Sequence, residues 1–289
     1  MKSFDPEKDK RWETPRNNGV IWSLVSVAAL VILLFLWKKF PGNEPDPDDL
    51  IVYCAAGIRL PVEEAARAFE EEFGVSITLD YDSSGALEGK LQLDRDSNKS
   101  RADLYIPADV SFAERAKGKG LTMESIPIAS FRLVLASSPG ENLSFSTLDE
   151  FLALDVPFSI CNVAAGVGKK TKATLEKLGK WEAFEAAKKT TSPRVTDAAA
   201  AIATSDAVRA GFVWNTTAKQ FGLKIHELAE LAEVQSRISV NVTTTTTKPA
   251  QALLFARYLA APKKGQNHFE KHHFSWVKGD EWEKNPELT

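Results

Sequence analysis

Four short loops hold the residue types that could do chemistry. They read CAAGIRLP (54–61), DSSGAL (82–87), NVAAGVGKKT (162–171) and SPRVTDAA (192–199). Each sets small side chains, free main-chain N–H groups or hydroxyls where a helix is expected to start. N–H groups point outward at such a start and the helix dipole is positive there, so these loops suit an anion. Each also has a plain structural use. Ser83 or Ser84 serves as a helix cap, and Gly166 and Gly168 permit a turn.

Other chemistries are poorly served. GVGKKT is not a nucleotide-binding Walker loop, because the position of its first glycine is Val163. No G-x-S-x-G or H-E-x-x-H occurs. His268 and His272 would share a helix face and could hold a metal, yet with His273 they read rather as a solvated cluster near the C-terminus. Cys54 has no base partner to make it a nucleophile. Asp82, Asp109 and Asp197 are the acids an enzyme would call on, and none has an evident partner in sequence. Lys169, Lys170 and Lys172 read as a solvated helix face.

The elements that position these loops alternate. LIVYCA (50–55), VSITLDY (75–81) and DLYIPAD (103–109) read as strands. Between and after them come a helix opened by Pro61 and closed by Gly74, a helix from Ser84 to Leu93, and one near 110–117. The second half gives strands at 132–137, 157–161, 210–214 and 237–243, with helices at 169–179, 181–189, 196–204 and from Pro249. Strand–helix alternation is the mark of parallel α/β architecture, whose ligands gather beyond the carboxyl ends of strands. The 289-residue chain is 44% apolar, enough for a sizeable core. Its formal net charge of −3 implies no attraction to nucleic acid. Two cysteines, Cys54 and Cys161, lie in apolar runs and form no disulfide framework.

Residues 19–37, GVIWSLVSVAALVILLFLW, carry no charge and are long enough to span a bilayer as a helix. Five basic residues precede the run and only Lys38 and Lys39 follow closely, which favours a cytoplasmic N-terminus. No small-x-small cleavage pattern follows, so an uncleaved anchor is expected. Residues 38–49, rich in proline and acid, form the spacer.

In their order, these loops resemble the molybdate-binding proteins of ABC importers, over roughly residues 50–276. The similarity lies in IVYCAAGIRLPVEEAARAFEEEFGVSITLDYDSSGAL, ADLYIPADVSFAERAKGKGL, ICNVAAGVGKKTKATLEKLG, VRAGFVWNTTA and LLFARYLAAPKKGQNHFEKHHF. The resemblance implies an α/β, two-lobed periplasmic binding protein fold of type II kind, here preceded by one transmembrane helix. Serine hydroxyls and main-chain N–H groups would hold an oxyanion, molybdate or tungstate, without charged side chains. Carried over residue by residue, the ligand-binding set is Gly57, Ser83, Ser84, Val167, Thr196 and Trp214. Gly57 stands where the family has a serine, and Trp214 where it has a tyrosine, exchanging a phenol for an indole donor.

The expected organisation is a cytoplasmic stub (1–18), an anchor (19–37), a linker (38–49), one lobe from 50–129 with 236–289, and a second from 130–235. The expected protein is a monomer of the cytoplasmic membrane, its folded part outside the cytoplasm. It would serve an ABC permease and have no enzymatic activity, cofactor or structural metal. Receptors for another small anion or ferric ion, a membrane-anchored enzyme and a sensor domain are the competing readings.

Overall fold

Strand β1 (Leu50–Ala55) is an apolar run buried along most of its length, as a strand covered on both faces must be. It pairs in parallel with β2 (Ile77–Asp82) on one side and β3 (Leu104–Ile106) on the other. The computed structural model describes residues 25–29, 48–97 and 101–278. Residues 25–29 are helical; the rest of the expected anchor at 19–37 lies outside the described residues. Among the described residues, no helix is long and apolar enough to cross a membrane.

Helix α1 (Arg59–Phe73) buries Val62, Ala65, Ala66 and Phe69, a spacing that puts all four on one face. It stops at Gly74, whose φ of 67° places it in the left-handed region where glycine is the favoured residue. Helices α2 (Ser84–Asp96) and α3 (Val110–Gly118) return the chain from β2 and β3.

Strand β4 (Thr122–Ser137) is much longer than the expected 132–137. Its first part pairs antiparallel with β9 (Gln235–Thr243), from Thr122 to Arg132. From Leu133 to Ser137 it pairs instead with β7 (Ala210–Trp214), and over Leu135–Ser137 also with β8 (Lys224–His226). Register shifts interrupt the β9 pairing, one of them between Pro127 and Ala129. Proline has no N–H to give a ladder, so an irregularity beside it is expected.

The second set of elements hangs from that strand. After α4 (Leu148–Ala153) come β5 (Phe158–Cys161), α5 (Gly166–Lys177), α6 (Trp181–Ala187), β6 (Thr190–Ser192), α7 (Val195–Thr204) and α8 (Asn215–Gln220). The chain then runs back through β9 to α9 (Pro249–Ala260), α10 (Gly265–Lys271) and β10 (Ser275–Trp276), which pairs with β4. The sheet order is β2-β1-β3-β9-β4-β7-β5-β6. The described residues from 48 to 278 belong to one compact unit.

Each end of the sheet has its own aromatic cluster. Phe69, Phe73, Phe255 and Tyr258 meet between α1 and α9. Phe151, Phe158, Phe184 and Phe212 meet around β5. Between the two, Phe131 of β4 packs on Trp214 with ring centroids 4.2 Å apart. Cys54 and Cys161 are buried free thiols, and burial pushes Cys161 up to about 12.

His268 and His272 both turn to Glu64 on α1, at 3.4 and 3.0 Å, and Lys271 joins them at 2.9 Å. Burial works against the Glu64 charge, but hydrogen bonds from Lys271, His272 and His268 outweigh it and hold the carboxyl down at about 2. A carboxyl lowered by folding stabilises above its unfolded value, and that stability disappears as pH falls through the folded one. Glu64→Gln should therefore cost about 1 kcal/mol at neutral pH, since the cluster is partly exposed. Its denaturation midpoint should converge with that of the parent as pH drops from about 4.5 to 2. A constant gap across that window would show that the cluster does not fasten α10 to α1.

Candidate functional site

Helix α5 begins without a side-chain cap, and its first residues Gly166, Val167 and Gly168 are buried. Helix α7 also lacks a cap, and its first residue, Val195, is buried. The first N–H groups of a helix have no acceptor within it, so a buried uncapped start calls for a partner from elsewhere. A third helix, α2, starts in the same place. Its cap is Ser83, whose hydroxyl accepts from the Ala86 N–H at 3.4 Å, and Ser84 is its first residue.

These three starts line one cleft of about 240 Å³, open mouth included. Ala55, Ala56 and Gly57 after β1 close one wall, Ala108 after β3 another, and Trp214 at the end of β7 forms part of the floor. A side chain at position 57 would put its Cβ 2.8 Å from Val195 Cγ1 and 3.4 Å from Trp214 Cδ1. The serine absent there is therefore replaced by close packing against α7, not by open space.

Opposite walls touch. The Gly85 N–H donates to the Ala164 carbonyl at 2.8 Å. A Cβ on Gly85 would meet that oxygen at 2.8 Å, and one on Gly166 would meet the Ala108 backbone at 3.2 Å. Lys170 on α5 reaches Asp109 at 3.0 Å, and the Lys169 ammonium sits 4.9 Å from the Phe112 ring centre. Burial would raise the Asp109 carboxyl, but hydrogen bonds from Ser111, the Lys170 charge and the Ser236 hydroxyl together take it below its ordinary value.

Three hydroxyls and one indole have hydrogens to give. Ser84 is 1% exposed, and its Oγ accepts from the Ala108 N–H at 3.0 Å, leaving its own proton undirected. Ser83 uses Oγ as an acceptor too. Trp214 is fully buried and its Nε1 has no hydrogen-bond partner. Thr217 Oγ1 would lie 3.8 Å from a Cβ on Gly57 and is likewise buried without a partner.

Five of the six residues expected from sequence line this cleft: Gly57, Ser83, Ser84, Val167 and Trp214. Thr196 is not part of the lining; its neighbours Arg194 and Val195 are. The cleft is also not free of charge, as expected for an all-neutral cage. Asp82 and Arg194 both line it. Arg194 is held by Asp197, with two hydrogen bonds of 2.8 and 2.9 Å. Those bonds, then the Asp197 charge, raise the guanidinium, and Asp82 adds to this. Sequence reasoning considered Asp82 only as an enzymatic acid and passed over Ala108. The signal for Ala108 was present, because Asp109 caps α3 through the Ser111 N–H and so marks one more strand-to-helix turn.

Residues 50–275 match the family described as bacterial extracellular solute-binding protein. No curated protein matches the chain. Among solved structures, a periplasmic molybdate-binding protein of Azotobacter vinelandii is similar with a TM-score of 0.65 at 20% identity, covering 79% of this chain and 100% of that one. The periplasmic binding protein AfuA of Actinobacillus pleuropneumoniae, with exogenous fructose-6-phosphate bound, has a TM-score of 0.67 at 16% identity, over 81% and 86%. Iron-bound HitA of Pseudomonas aeruginosa has a TM-score of 0.62 at 16% identity, over 83% and 90%. Likeness at these identities establishes the fold and leaves the guest open.

Gly85→Ala tests the closed approach of the walls. The added methyl meets main-chain atoms of Ala164, which cannot rotate away, and should cost about 1–3 kcal/mol where the walls touch. Small-angle scattering should show an enlarged radius of gyration. An unchanged radius together with an unchanged unfolding midpoint would mean that the contact is not held in solution.

Proposed function

We propose that this chain, which belongs to the bacterial extracellular solute-binding protein family, captures a small tetrahedral oxyanion in the cleft and delivers it to the permease of an ABC importer. Proteins of this family bind a solute and pass it on, and the chain is a binding protein, not an enzyme. Molybdate or tungstate is the guest that the sequence resemblance implies.

The observation that carries the oxyanion reading is the unpartnered, buried indole N–H of Trp214, a residue of the cleft lining where α2, α5 and α7 begin. A buried donor without an acceptor is costly, and an anion oxygen would satisfy it. The same anion would take up the free N–H groups of α5 and α7 and gain from their dipoles. Ferric ion is favoured less. Iron would call for carboxylates and tyrosines converging on one point, and the lining contains one carboxylate, Asp82, and no tyrosine.

In this reading the lobes are 50–129 with 236–289 and 130–235. What supports the division is the change of partner on β4, which leaves β9 after Arg132 and takes up β7 at Leu133. Bending β4 and β9 there would open the cleft, a hinge motion of two otherwise rigid halves. The run at 19–37 would tether the protein to the cytoplasmic membrane with its lobes outside.

Calorimetric titration of the full chain with molybdate, tungstate, sulfate and phosphate should give saturable one-to-one binding for at least one of them. Silence with all four would overturn the oxyanion reading. Trp214→Phe should weaken the guest by about 1–3 kcal/mol, the worth of a hydrogen bond to a charged group. Thermal stability should fall only by what a smaller ring costs a fully buried site, because the lost N–H had no partner to lose. Equal affinity in the variant would remove Nε1 from the site.

A further inference from the structure

We propose that Asp82 makes this cleft selective for an oxyanion that carries its own proton, of the hydrogen phosphate type, over fully deprotonated ones such as sulfate and molybdate. The proposal rests on the oxyanion reading above and narrows its guest. Asp82 ends β2, immediately before the Ser83 cap, and it lines the cleft together with the three helix starts.

The two carboxylate oxygens of Asp82 have different employment. Oδ1 accepts the Ser83 N–H at 2.7 Å and so fixes the side chain against the loop. Oδ2 has no hydrogen-bond or salt-bridge partner among the described residues. Arg194, the cation of the lining, spends Nε and Nη2 on Asp197 and forms no hydrogen bond to Asp82, whose charge reaches it only at longer range. The cleft therefore offers many donors and one strong, unoccupied acceptor. The donors are the amides of α5 and α7, the Ser83 and Ser84 hydroxyls and Trp214 Nε1.

A guest has to match that inventory. Sulfate and molybdate at neutral pH bring acceptor oxygens only. Wherever they sit, an oxygen facing Asp82 opposes acceptor to acceptor and negative to negative. Hydrogen phosphate has one O–H to donate and keeps acceptor oxygens for the amides. Its proton converts the one repulsive contact into a charge-assisted hydrogen bond. The half-buried Asp82 would thus favour the guest that brings a proton to it and oppose the one that does not. The structural alternative is that Asp82 only holds its loop through Oδ1.

Asp82→Asn separates these roles. The amide oxygen retains the Ser83 hydrogen bond, while the charge and the second strong acceptor are lost. The full chain, freed of bound anion by unfolding and refolding, is titrated at pH 7 with sodium phosphate, sulfate and molybdate. The parent should bind phosphate at least tenfold more tightly than either of the others, and Asp82→Asn should reduce that ratio by tenfold or more. Asp82→Ser, read the same way, replaces it if the asparagine variant does not fold. A parent that prefers molybdate or sulfate, or a variant whose affinities all move by one common factor, overturns the role of Asp82 and leaves the oxyanion reading standing. A parent that binds none of the three overturns both.

Discussion

Gly166, Val167 and Val195 bury the first amides of two helices, and neither helix has a side-chain cap to receive them. That arrangement is unstable in isolation, because an amide removed from water without an acceptor costs free energy comparable to a lost hydrogen bond. Other turns of the molecule solve the same problem internally. Asp109 caps α3, Thr147 caps α4 and Ser83 caps α2. Helices α1, α6, α8, α9 and α10 also lack a side-chain cap, and α5 and α7 are the uncapped helices whose first residues line the cleft. In the proposed reading their donors are left for a guest, and the rest of the fold has to tolerate that cost until one arrives.

Tolerance comes from how the walls are built. Small residues bring backbone to backbone at Gly85 and Ala164 and at Gly166 and Ala108, so that little water fits between. The Lys170–Asp109 pair and the Ser236 hydroxyl tie α5, the start of α3 and β9 together beside the cleft. Asp109 is 2% exposed, and its charge survives burial only because those partners surround it. The contacts that close the walls are thus few and polar, and behind them the apolar core runs without a break from Phe69 and Phe255 through Phe131 and Trp214 to Phe151 and Phe184.

Much of this was legible from the chain alone. Strands with continuous apolar runs, such as 50–55 and 210–214, and helices with a clear face, such as 59–73, announce themselves by period. Four loops at strand ends pointed to one site because parallel architecture gathers them there. The long strand 122–137 was not legible in its first half. TMESIPIA mixes charge and proline into an alternation whose register slips twice, and no fixed period survives that. The site was legible as a set of donors but not as a balance of donors and acceptors. Whether Asp82 turns into a cleft or out to water depends on the Ser83 N–H that holds it, and a single sequence does not print that contact. The same holds for α7, where Arg194 and Val195 reach the cleft and Thr196, one residue further round the helix, does not.

A scaffold that elsewhere holds molybdate, a phosphosugar and iron cannot owe its choice of guest to its strands. The choice has to lie in the handful of groups that reach the cleft, Gly57, Trp214 and Asp82 among them. Gly57 gives up the hydroxyl that a serine would have supplied, and its space is taken by Val195. Trp214, in the same lining, has an unpartnered indole N–H on a ring packed against Phe131, which cannot turn without repacking the core. In the proposed reading the rigid Trp214 donor would select by geometry, and the Asp82 carboxylate by charge and protonation. Because the two act on different properties of the guest, altering one leaves the other in force, and a change of guest within this fold requires only that single loop residues change.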